Sequence, residues 1–309
     1  MPLISYFGSK SSNVFHEFIN TKIPKKGIKT YLEPFSGSMS TYMDDDTLNP
    51  EIVIFNDKNR HQTNLFYCAK YSEKLLESIY KLKETILNTS LTDPLEKWDF
   101  YKAIYKDYQK NDFLRNNEYE IGDFDKAAMY AFLITSAHNS TFPTGAGFNG
   151  YKKDRDRLKL EVLIDKLKKG TYTKKLNSIS HFFNRDFEDL ILEFDAKDTY
   201  MYLDPPYARW AEGKKQDDAR RLFWYGAADD NVFGPQSHRR LLELLLKVKA
   251  KWSLSYYYFP LLEEILPKDK FHWFEKEVDR SSARGGNNSA SKGVATKGVE
   301  ILITNYDQL

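Results

Sequence analysis

Cysteine is nearly absent from this chain of 309 residues, in which Cys68 is the single example. One thiol cannot form an intramolecular disulfide, build a cysteine metal site or act as a nucleophile with a partner thiol. A disulfide framework and a cysteine-ligated metal centre are therefore excluded. The expected location is a reducing compartment such as the cytoplasm.

Long apolar runs and an excess of charge of one sign are also lacking. No stretch reaches the length that spans a bilayer, and residues 1–12 contain no apolar core typical of a signal peptide. We expect a protein that is neither exported nor inserted into a membrane. The 46 basic and 44 acidic residues leave a formal charge of +2, which argues against a uniform basic coat but permits a local basic groove.

The most informative stretch is the tetrapeptide Asp204-Pro205-Pro206-Tyr207, which directly follows an apolar run. Proline fixes φ, removes an N–H group and holds the preceding residue extended, so Asp204 and Pro205 present rigid oxygen acceptors. These acceptors suit an amino group, and the Tyr207 ring can stack on a flat base, as in flipped-base pockets. Accepting both amino hydrogens would stabilise the positive charge that develops on the nitrogen during alkylation. The alternative is a plain proline turn after a strand.

A second signal is a short apolar run that leads into small, turn-forming residues around Gly37. The next predicted strand ends at Asp57, which lies 20 positions after Gly37. This is about the interval at which dinucleotide-binding folds place the acid that binds a ribose hydroxyl. The alternative makes Gly37 a turn glycine and Asp57 the N-cap of a helix that opens at His61.

Strand and helix patterns alternate near both ends of the chain and predict an α/β fold, a doubly wound Rossmann-like sheet interrupted by an inserted, mainly helical subdomain. We assign residues 1–60 and 176–309 to the sheet domain and residues 61–175 to the insertion, with a loop or hairpin at its tip. The predicted strands cover residues 30–33, 51–56, 199–203, 252–258, 271–278 and 299–305, and the predicted helices residues 11–20, 62–87, 94–109, 124–137, 187–194, 235–248 and 261–266.

A doubly wound sheet binds its ligand beyond the carboxyl ends of its strands, at the point where strand order reverses. The Gly37 loop and the Asp204 tetrapeptide would both open at this edge. In the common strand order the first and fourth strands are neighbours there. We therefore expect a cofactor site next to the pocket for a flat base.

Together these motifs make the chain resemble the adenine-specific DNA methyltransferases of the Dam type, over essentially its whole length. Their order is an N-terminal cofactor motif, a glycine loop, a target-recognition insertion and then the Asp-Pro-Pro-Tyr motif. The matching segments here are Tyr6-Phe7-Gly8-Ser9-Lys10, Glu33-Pro34-Phe35-Ser36-Gly37-Ser38, Asp57, Asn184-Arg185-Asp186-Phe187, Asp204-Pro205-Pro206-Tyr207 and the closing strand at residues 300–306.

The resemblance implies an S-adenosylmethionine-dependent methyltransferase acting on the 6-amino group of an adenine flipped out of duplex DNA. It implies direct, in-line transfer, which needs no Cys68 nucleophile. The implied catalytic residues are Asp204, Pro205, Pro206 and Tyr207. The implied cofactor-binding residues are Tyr6, Lys10, Glu33, Pro34, Phe35, Ser36, Gly37, Ser38, Asp57, Asp186, Phe187 and Asp204, and no metal is implied.

Double-stranded DNA is the implied partner, and three segments are candidates to contact it. Residues 152–175 carry ten basic side chains against four acidic ones, which fits a phosphate track or a solvated helix face with paired charges. A hairpin is expected at residues 138–150. The glycine-rich segment at residues 280–288 fits either a DNA-contacting loop or a linker, and residues 209–234 fit a mobile flap over the target base. The candidate residues are Lys152, Lys153, Arg155, Asn139, Ser140, Thr141, Phe142, Arg284 and Asn287.

Two departures from the family pattern affect the cofactor site. Met39 stands where the family usually has a small residue, and Ser9 where it often has glycine, so we expect a narrowed or reshaped cofactor loop.

Two other functions stay open, an amino-group methyltransferase for RNA or cytosine and a catalytically silent DNA-binding relative. The recognised sequence and a separately acting cognate restriction endonuclease also stay open. The resemblance implies a bacterial or phage-infected cell, with the protein near the nucleoid.

Overall fold

A computed structural model describes residues 3–4, 13–110, 119–137, 147–207, 233–279 and 297–307. A seven-stranded sheet is the centre of the fold, and a two-stranded hairpin lies in the insertion. The strands are β1 (Thr30–Glu33), β2 (Ile52–Asn56), β3 (Tyr151–Lys152), β4 (Arg157–Leu158), β5 (His181–Phe183), β6 (Thr199–Leu203), β7 (Lys251–Tyr257), β8 (His272–Asp279) and β9 (Lys297–Thr304).

The sheet has the order β5-β2-β1-β6-β7-β9-β8, in which β9 runs opposite to the other six strands. From β1 the chain builds outward through β2 and β5 on one side, then returns to form β6 on the other. β1 and β6 are therefore adjacent, with Leu32 paired to Met201. The predicted doubly wound, Rossmann-like α/β fold is confirmed, and the strand order reverses between β1 and β6.

Helices cover both faces of this sheet. The helices of the described residues are α1 (Asn13–Lys22), α2 (Ser40–Met43), α3 (Arg60–Lys70), α4 (Ser72–Leu82), α5 (Pro94–Lys110), α6 (Phe124–Ser136), α7 (Leu160–Lys169), α8 (Thr173–Ser178), α9 (Phe187–Glu193), α10 (Pro235–Leu245) and α11 (Pro260–Ile265). A π-helical turn, Lys83–Leu87, follows α4, and a 3-10 turn, Lys153–Arg155, joins β3 to β4. No helix within these ranges is long and apolar enough to cross a bilayer.

Successive strand residues enter two different cores, because side chains alternate across a strand. Tyr31 and Tyr200 belong to the core beneath α1 to α8. Their neighbours Leu32 and Met201 belong to the core beneath α9, α10 and α11. All four side chains are completely buried, as expected for parallel strands covered on both faces.

One long helix over residues 62–87 was expected, and this prediction was wrong. The helix is broken at Tyr71, whose φ of −105° and ψ of 61° end α3 and begin α4. Apolar residues continue at helical spacing on both sides of this break, so the sequence pattern does not reveal it. The predicted helix over residues 94–109 and the strand over residues 199–203 match α5 and β6 closely.

β5 was not predicted. It contains only three residues, and His181 at its start is exposed. So short a segment shows no period-two pattern. It is a strand because Ile54, Phe55 and Asn56 of β2 pair with it along its whole length.

The helices of the predicted insertion share a core with the sheet. Phe66 of α3, Phe132 of α6 and Leu163 of α7 lie in the same buried cluster as Val53 of β2. The division of the chain into a sheet domain and an insertion that begins at residue 61 therefore stays a prediction about the function of the two parts. At the end of α6, Ala137 forms an antiparallel bridge with Phe148, so the chain leaves and returns at one place.

Gly150 lies beside this bridge, where a side chain has no room. An added Cβ would lie 2.3 Å from Ser136 Oγ and 2.6 Å from Ser136 Cβ. We expect Gly150→Ala to lower the free energy of unfolding by about 1–3 kcal/mol, because the chain must move apart to fit the methyl group. Chemical denaturation measures this change. Gly147→Ala is the control, since its Cβ meets nothing within 4 Å, and equal stability of both variants would contradict the expectation.

Candidate active site

Three acids follow the carboxyl ends of sheet strands, as the motif spacing predicted. Glu33 ends β1, Asp57 follows β2 and Asp204 follows β6. Parallel strands end at the same edge, so β2, β1 and β6, which are consecutive in the sheet, bring these acids to one side of it. Glu33 and Asp204 also interact electrostatically, and Asp204 contributes to raising the pKa of Glu33.

Side chains hold both the N–H and the carbonyl of Gly37 in the glycine loop. Gly37 has a φ of 50°, in the left-handed region that glycine adopts readily. Its N–H donates to Asp57 Oδ2 at 2.8 Å, and its carbonyl accepts from Gln62 Nε2 at 2.5 Å. Before it, Ser36 Oγ donates to the Glu33 carbonyl at 2.8 Å. The loop is therefore fixed to β2 and to α3.

Asn56 joins the glycine loop to the segment that precedes α9. Its Nδ2 donates to the Pro34 carbonyl at 2.8 Å, and its Oδ1 accepts from the Arg185 N–H at 2.9 Å. The side chain is 1% exposed, so both bonds form away from water. Sequence reasoning placed Asn56 only at the end of a strand and missed this bridging role.

Asp57 is partly buried and carries an altered pKa. Burial raises its pKa to about 6, while hydrogen bonds from the N–H groups of Asn59 and Gly37 act in the opposite direction. The alternative that Asp57 caps the following helix was wrong. α3 begins at Arg60, and its cap is Asn59, two residues after Asp57. The Asn59 side chain accepts from the N–H groups of His61 and Gln62.

Glu33 lies deepest of the three acids. It is 2% exposed and accepts a hydrogen bond from Tyr31 Oη at 2.7 Å. Burial raises its pKa to about 8, the Tyr31 bond lowers it and the Asp204 charge raises it further. Near pH 7 the Glu33 carboxyl is therefore mostly protonated.

Asp186 and Phe187 lie at the start of α9, next to the glycine loop. Asp186 Oδ1 caps this helix by accepting from the Glu188 N–H at 3.0 Å, and Arg240 donates to both of its oxygens at 2.8 Å. The Phe187 ring lies 5.3 Å from the Phe35 ring, which extends from the loop. Loop and helix therefore form one apolar surface beside a fixed carboxylate.

The Asp-Pro-Pro-Tyr segment packs against the end of β7. Pro205 is buried, and the Tyr207 ring lies 5.4 Å from the Tyr256 ring and 4.9 Å, edge-on, from the Tyr257 ring. Burial, and then the Asp204 charge, raise the pKa of Tyr207 well above its usual value, so it stays a neutral phenol. The ring is held in place and can act as a stacking partner.

This set of motifs, on this sheet, is matched by one family. The sequence model of the D12 class N6 adenine-specific DNA methyltransferases covers residues 6–281. The chain belongs to this family. The resemblance to Dam-type enzymes is thereby confirmed. No curated protein gives a significant match to the chain.

Met39 does not narrow the loop of this D12 class methyltransferase in the way the sequence suggested. Its φ is 48° and its ψ 31°, so the backbone keeps the left-handed conformation that a glycine would adopt. The side chain is 1% exposed and lies in the core beneath α1 to α8. The side chain therefore packs in the core, although a left-handed conformation is unfavourable for methionine.

The basic stretch of the methyltransferase is not one continuous phosphate track. Arg157 pairs with Asp165 at 2.5 Å. Lys175 is 9% exposed, and its ammonium donates to the carbonyls of Asp45 and Leu48, so it is a structural residue. The alternative of a helix face with paired charges therefore fits this part of the segment.

A smaller basic group lies at the base of the expected hairpin. The ammonium groups of Lys102 and Lys153 lie 4.2 Å and 4.9 Å from the centre of the Trp98 ring. Trp98 in turn contacts the Phe148 ring at 5.9 Å, directly at the hairpin bridge. Sequence reasoning found Lys153 but missed Lys102 and Trp98, because they lie on α5, outside the basic stretch.

Several predicted site residues fall outside the described residues of the methyltransferase. They are Tyr6, Lys10, Asn139, Ser140, Thr141, Phe142, Arg284 and Asn287. The predicted flap falls there as well, except for its last two residues. One of these, Phe233, packs against the Phe35 and Phe187 rings at 5.4 Å and 5.7 Å.

The raised pKa of Glu33 has a consequence for the pH dependence of stability. Its carboxyl binds a proton more tightly in the folded than in the unfolded chain, so the contribution to stability is lost as pH rises from about 4.5 towards about 8. From about pH 6.5 to about pH 8 we expect the free energy of unfolding to fall by up to about 2 kcal/mol more in the wild type than in Glu33→Gln.

Thermal or chemical unfolding of both proteins over this interval measures the difference. Asp57, with a pKa of about 6, and His238, with a pKa of about 4, titrate in both proteins, so their contributions cancel in the difference. Parallel stability curves for the two proteins would show that Glu33 is already ionised at neutral pH.

Proposed function

We propose that this methyltransferase transfers a methyl group from S-adenosylmethionine to the 6-amino group of an adenine flipped out of duplex DNA. One observation carries the proposal. The glycine loop and the Asp204 tetrapeptide follow β1 and β6, which are neighbouring strands at the point where sheet order reverses. A cofactor at the first and a base at the second would meet over the same sheet edge.

The residues at the glycine loop fit S-adenosylmethionine, which would supply a methyl group bonded to a positively charged sulfur. The rings of Phe35, Phe187 and Phe233 contact one another and offer an apolar surface for a purine. Burial raises the pKa of both the Glu33 and the Asp57 carboxyl, because it disfavours their charged forms. A ligand with cationic groups would favour these charged forms.

Each polar residue has a role in this arrangement. Glu33 would bind the amino-acid end of the cofactor, Asp57 its ribose hydroxyl groups, and Asp186 with Phe187 its adenine. Each Asp57 oxygen accepts one hydrogen bond from the chain and has a further lone pair. Asp186 Oδ1 accepts from both the Glu188 N–H and Arg240, so the further lone pair of this carboxylate is on Oδ2, which accepts from Arg240 alone among the bonds described. These residues would therefore be held rigid while they bind the ligand. Tyr6 and Lys10 are assigned to the same site by the family resemblance.

The target adenine would lie against the Asp-Pro-Pro-Tyr segment. The Asp204 carboxylate and the Pro205 carbonyl would accept the two amino hydrogens, and Tyr207 would stack on the ring. Both acceptors stabilise positive charge on the nitrogen as it becomes tetrahedral, which is electrostatic preorganisation. Flipping the base out of the duplex costs a few kcal/mol, which contacts with DNA must offset.

DNA contacts are proposed at the hairpin base and in the loops that were expected to reach it. Lys102 and Lys153 both lie over the Trp98 ring, which contacts Phe148 where the chain returns, and their ammonium groups suit phosphate groups. Lys152 and Arg155 are neighbours of Lys153, and Arg155 is within 3.6 Å of Asp154. The residues of the hairpin itself, Asn139, Ser140, Thr141 and Phe142, and the loop residues Arg284 and Asn287 remain proposed contacts.

Product analysis tests the whole proposal. DNA from cells that express the protein should contain N6-methyladenine in one short sequence context, with none in cells that express Asp204→Ala. Methylated cytosine or methylated RNA in place of this product would favour the alternative substrates. The absence of any methylated nucleoside, with DNA binding retained, would favour a catalytically silent relative.

Asp204→Ala should abolish methyl transfer, because removing one acceptor of a developing charge typically lowers kcat by about 100-fold to 1000-fold, and here the carboxylate also orients the base. The affinity for S-adenosylhomocysteine, measured by calorimetry, should change little. Asp269→Ala, at an exposed acid distant in sequence from the motif, is the control. Near-normal activity of Asp204→Ala would remove Asp204 from the base pocket.

Lys102→Ala combined with Lys153→Ala should weaken binding to duplex DNA and reduce the slope of log affinity against log salt by about 2, close to one for each lost phosphate contact. Fluorescence anisotropy over a salt series measures this slope. Arg157→Ala is the matched control, because Arg157 is already paired with Asp165. An unchanged slope in the double variant would place the DNA elsewhere.

A further inference from the structure

Gln62 connects the glycine loop to the inserted helices. It lies in the first turn of α3 and is completely buried. Its Nε2 donates to the Gly37 carbonyl at 2.5 Å, and its Oε1 accepts from Tyr130 Oη at 3.2 Å. Tyr130 lies on α6 and is 1% exposed. A buried hydrogen-bonded chain therefore runs from α6 through Gln62 to the loop.

The orientation of the Gln62 amide is fixed by its two partners. The carbonyl of Gly37 can only accept a hydrogen bond, so the NH₂ group must face it. The Gln62 oxygen then faces the Tyr130 hydroxyl, which donates to it. That hydroxyl accepts in turn from Asn59 Nδ2 at 3.1 Å. Removing the Tyr130 hydroxyl takes this donor from the buried Gln62 oxygen, and removing the Gln62 amide takes this acceptor from the buried hydroxyl, which is costly in a dry environment.

Tyr130 belongs to the part of the chain that leads to the expected DNA hairpin. Its helix, α6, ends at Ser136, and the next residue, Ala137, forms the bridge with Phe148. The Tyr130 ring also stacks on His61 at 5.6 Å. A shift of α6 would therefore move the hydroxyl group that orients Gln62.

We propose that Gln62 is a positioning residue that holds the Gly37 carbonyl and makes the conformation of the glycine loop depend on Tyr130 of the insertion. This inference rests on the proposed function, since it assigns the loop to the cofactor. Gln62 acts through the loop and touches no reacting atom. The segment that contacts DNA and the loop that contacts the cofactor then share one hydrogen-bond chain.

The chain has a thermodynamic consequence. If the position of α6 differs between free and DNA-bound enzyme, the loop senses this difference through Tyr130 and Gln62. Cofactor and DNA then alter each other's affinity by the same factor, because coupling of binding free energies is reciprocal. A hydrogen-bond chain counts as coupling only where paired substitutions show non-additive effects.

A double-mutant cycle tests the chain. Calorimetry measures the affinity for S-adenosylhomocysteine of the wild type, Gln62→Met, Tyr130→Phe and the double variant. We expect Gln62→Met to bind roughly tenfold more weakly, as for the loss of one buried hydrogen bond to the loop. Tyr130→Phe alone should weaken binding of S-adenosylhomocysteine. In protein that already carries Gln62→Met, the same substitution should have no further effect. Tyr101→Phe, at a buried tyrosine of α5 that packs on Tyr151, is the control and should bind like the wild type.

Gln62→Glu provides a readout that a purely structural role would not change. A glutamate keeps the shape of the side chain but donates to the Gly37 carbonyl only when it is protonated. We expect its affinity for S-adenosylhomocysteine to approach that of the wild type as pH falls and to drop as pH rises. Dividing the affinity of Gln62→Glu by that of the wild type at each pH cancels the effect of acids that titrate in both proteins.

The outcomes separate this inference from the proposed function. Wild-type protein that does not bind S-adenosylhomocysteine contradicts the proposed function itself. Wild-type binding together with equal affinity of Gln62→Met overturns the positioning role, and additive effects of Gln62→Met and Tyr130→Phe overturn the role of Tyr130. If Gln62→Met does not fold, the test is the pH dependence of Gln62→Glu. A ratio of its affinity to that of the wild type that does not vary with pH overturns the inference.

Discussion

The conformation of Gly37 is the constraint on which the rest of the site depends. This left-handed residue lies four positions after the end of β1. Its N–H is held by the side chain of Asp57, which follows β2, and its carbonyl by the side chain of Gln62 on α3. Met39 adopts the same handedness two residues later, with its side chain in the core. The loop is thus shaped by backbone geometry and by its partners, which explains how it tolerates a bulky residue where the family has a small one.

Sequence patterns predicted those elements of the fold whose residues bury two faces of a sheet or one face of a helix. The run at β6 is apolar throughout, because it lies at the centre of a covered parallel sheet. β5 escaped prediction since three residues at an edge need no pattern of their own. The break at Tyr71 was not predicted, because the spacing of apolar residues shows only which face of a helix is buried. The break itself depends on the backbone angles of one residue.

The acids of the site could be predicted for a different reason, namely that residues following parallel strands share an edge whatever lies between them in sequence. Contacts that depend on packing could not. Gln62 lies 25 residues from Gly37 and reads in sequence as an ordinary helix residue. Lys102 lies far in sequence from Lys153, yet both contact Trp98, while Arg157 within the basic stretch is paired. Local composition indicates charge, and only the fold decides which charges are neutralised.

Burial raises the pKa of two acids at the sheet edge, and repulsion from Asp204 adds to this effect at Glu33. Glu33 keeps its proton near pH 7 because it is buried and lies close to the Asp204 charge, and burial also raises the pKa of Asp57. Such a site disfavours further negative charge and favours any positive charge that enters it. A cationic donor in the loop would promote ionisation of Glu33, and the same carboxyl groups would stabilise positive charge that develops on an amine beside Asp204. The placement of carboxyl groups after neighbouring strands therefore contributes both to the raised pKa of Glu33, where it adds to the larger effect of burial, and to the proposed stabilisation of the transition state.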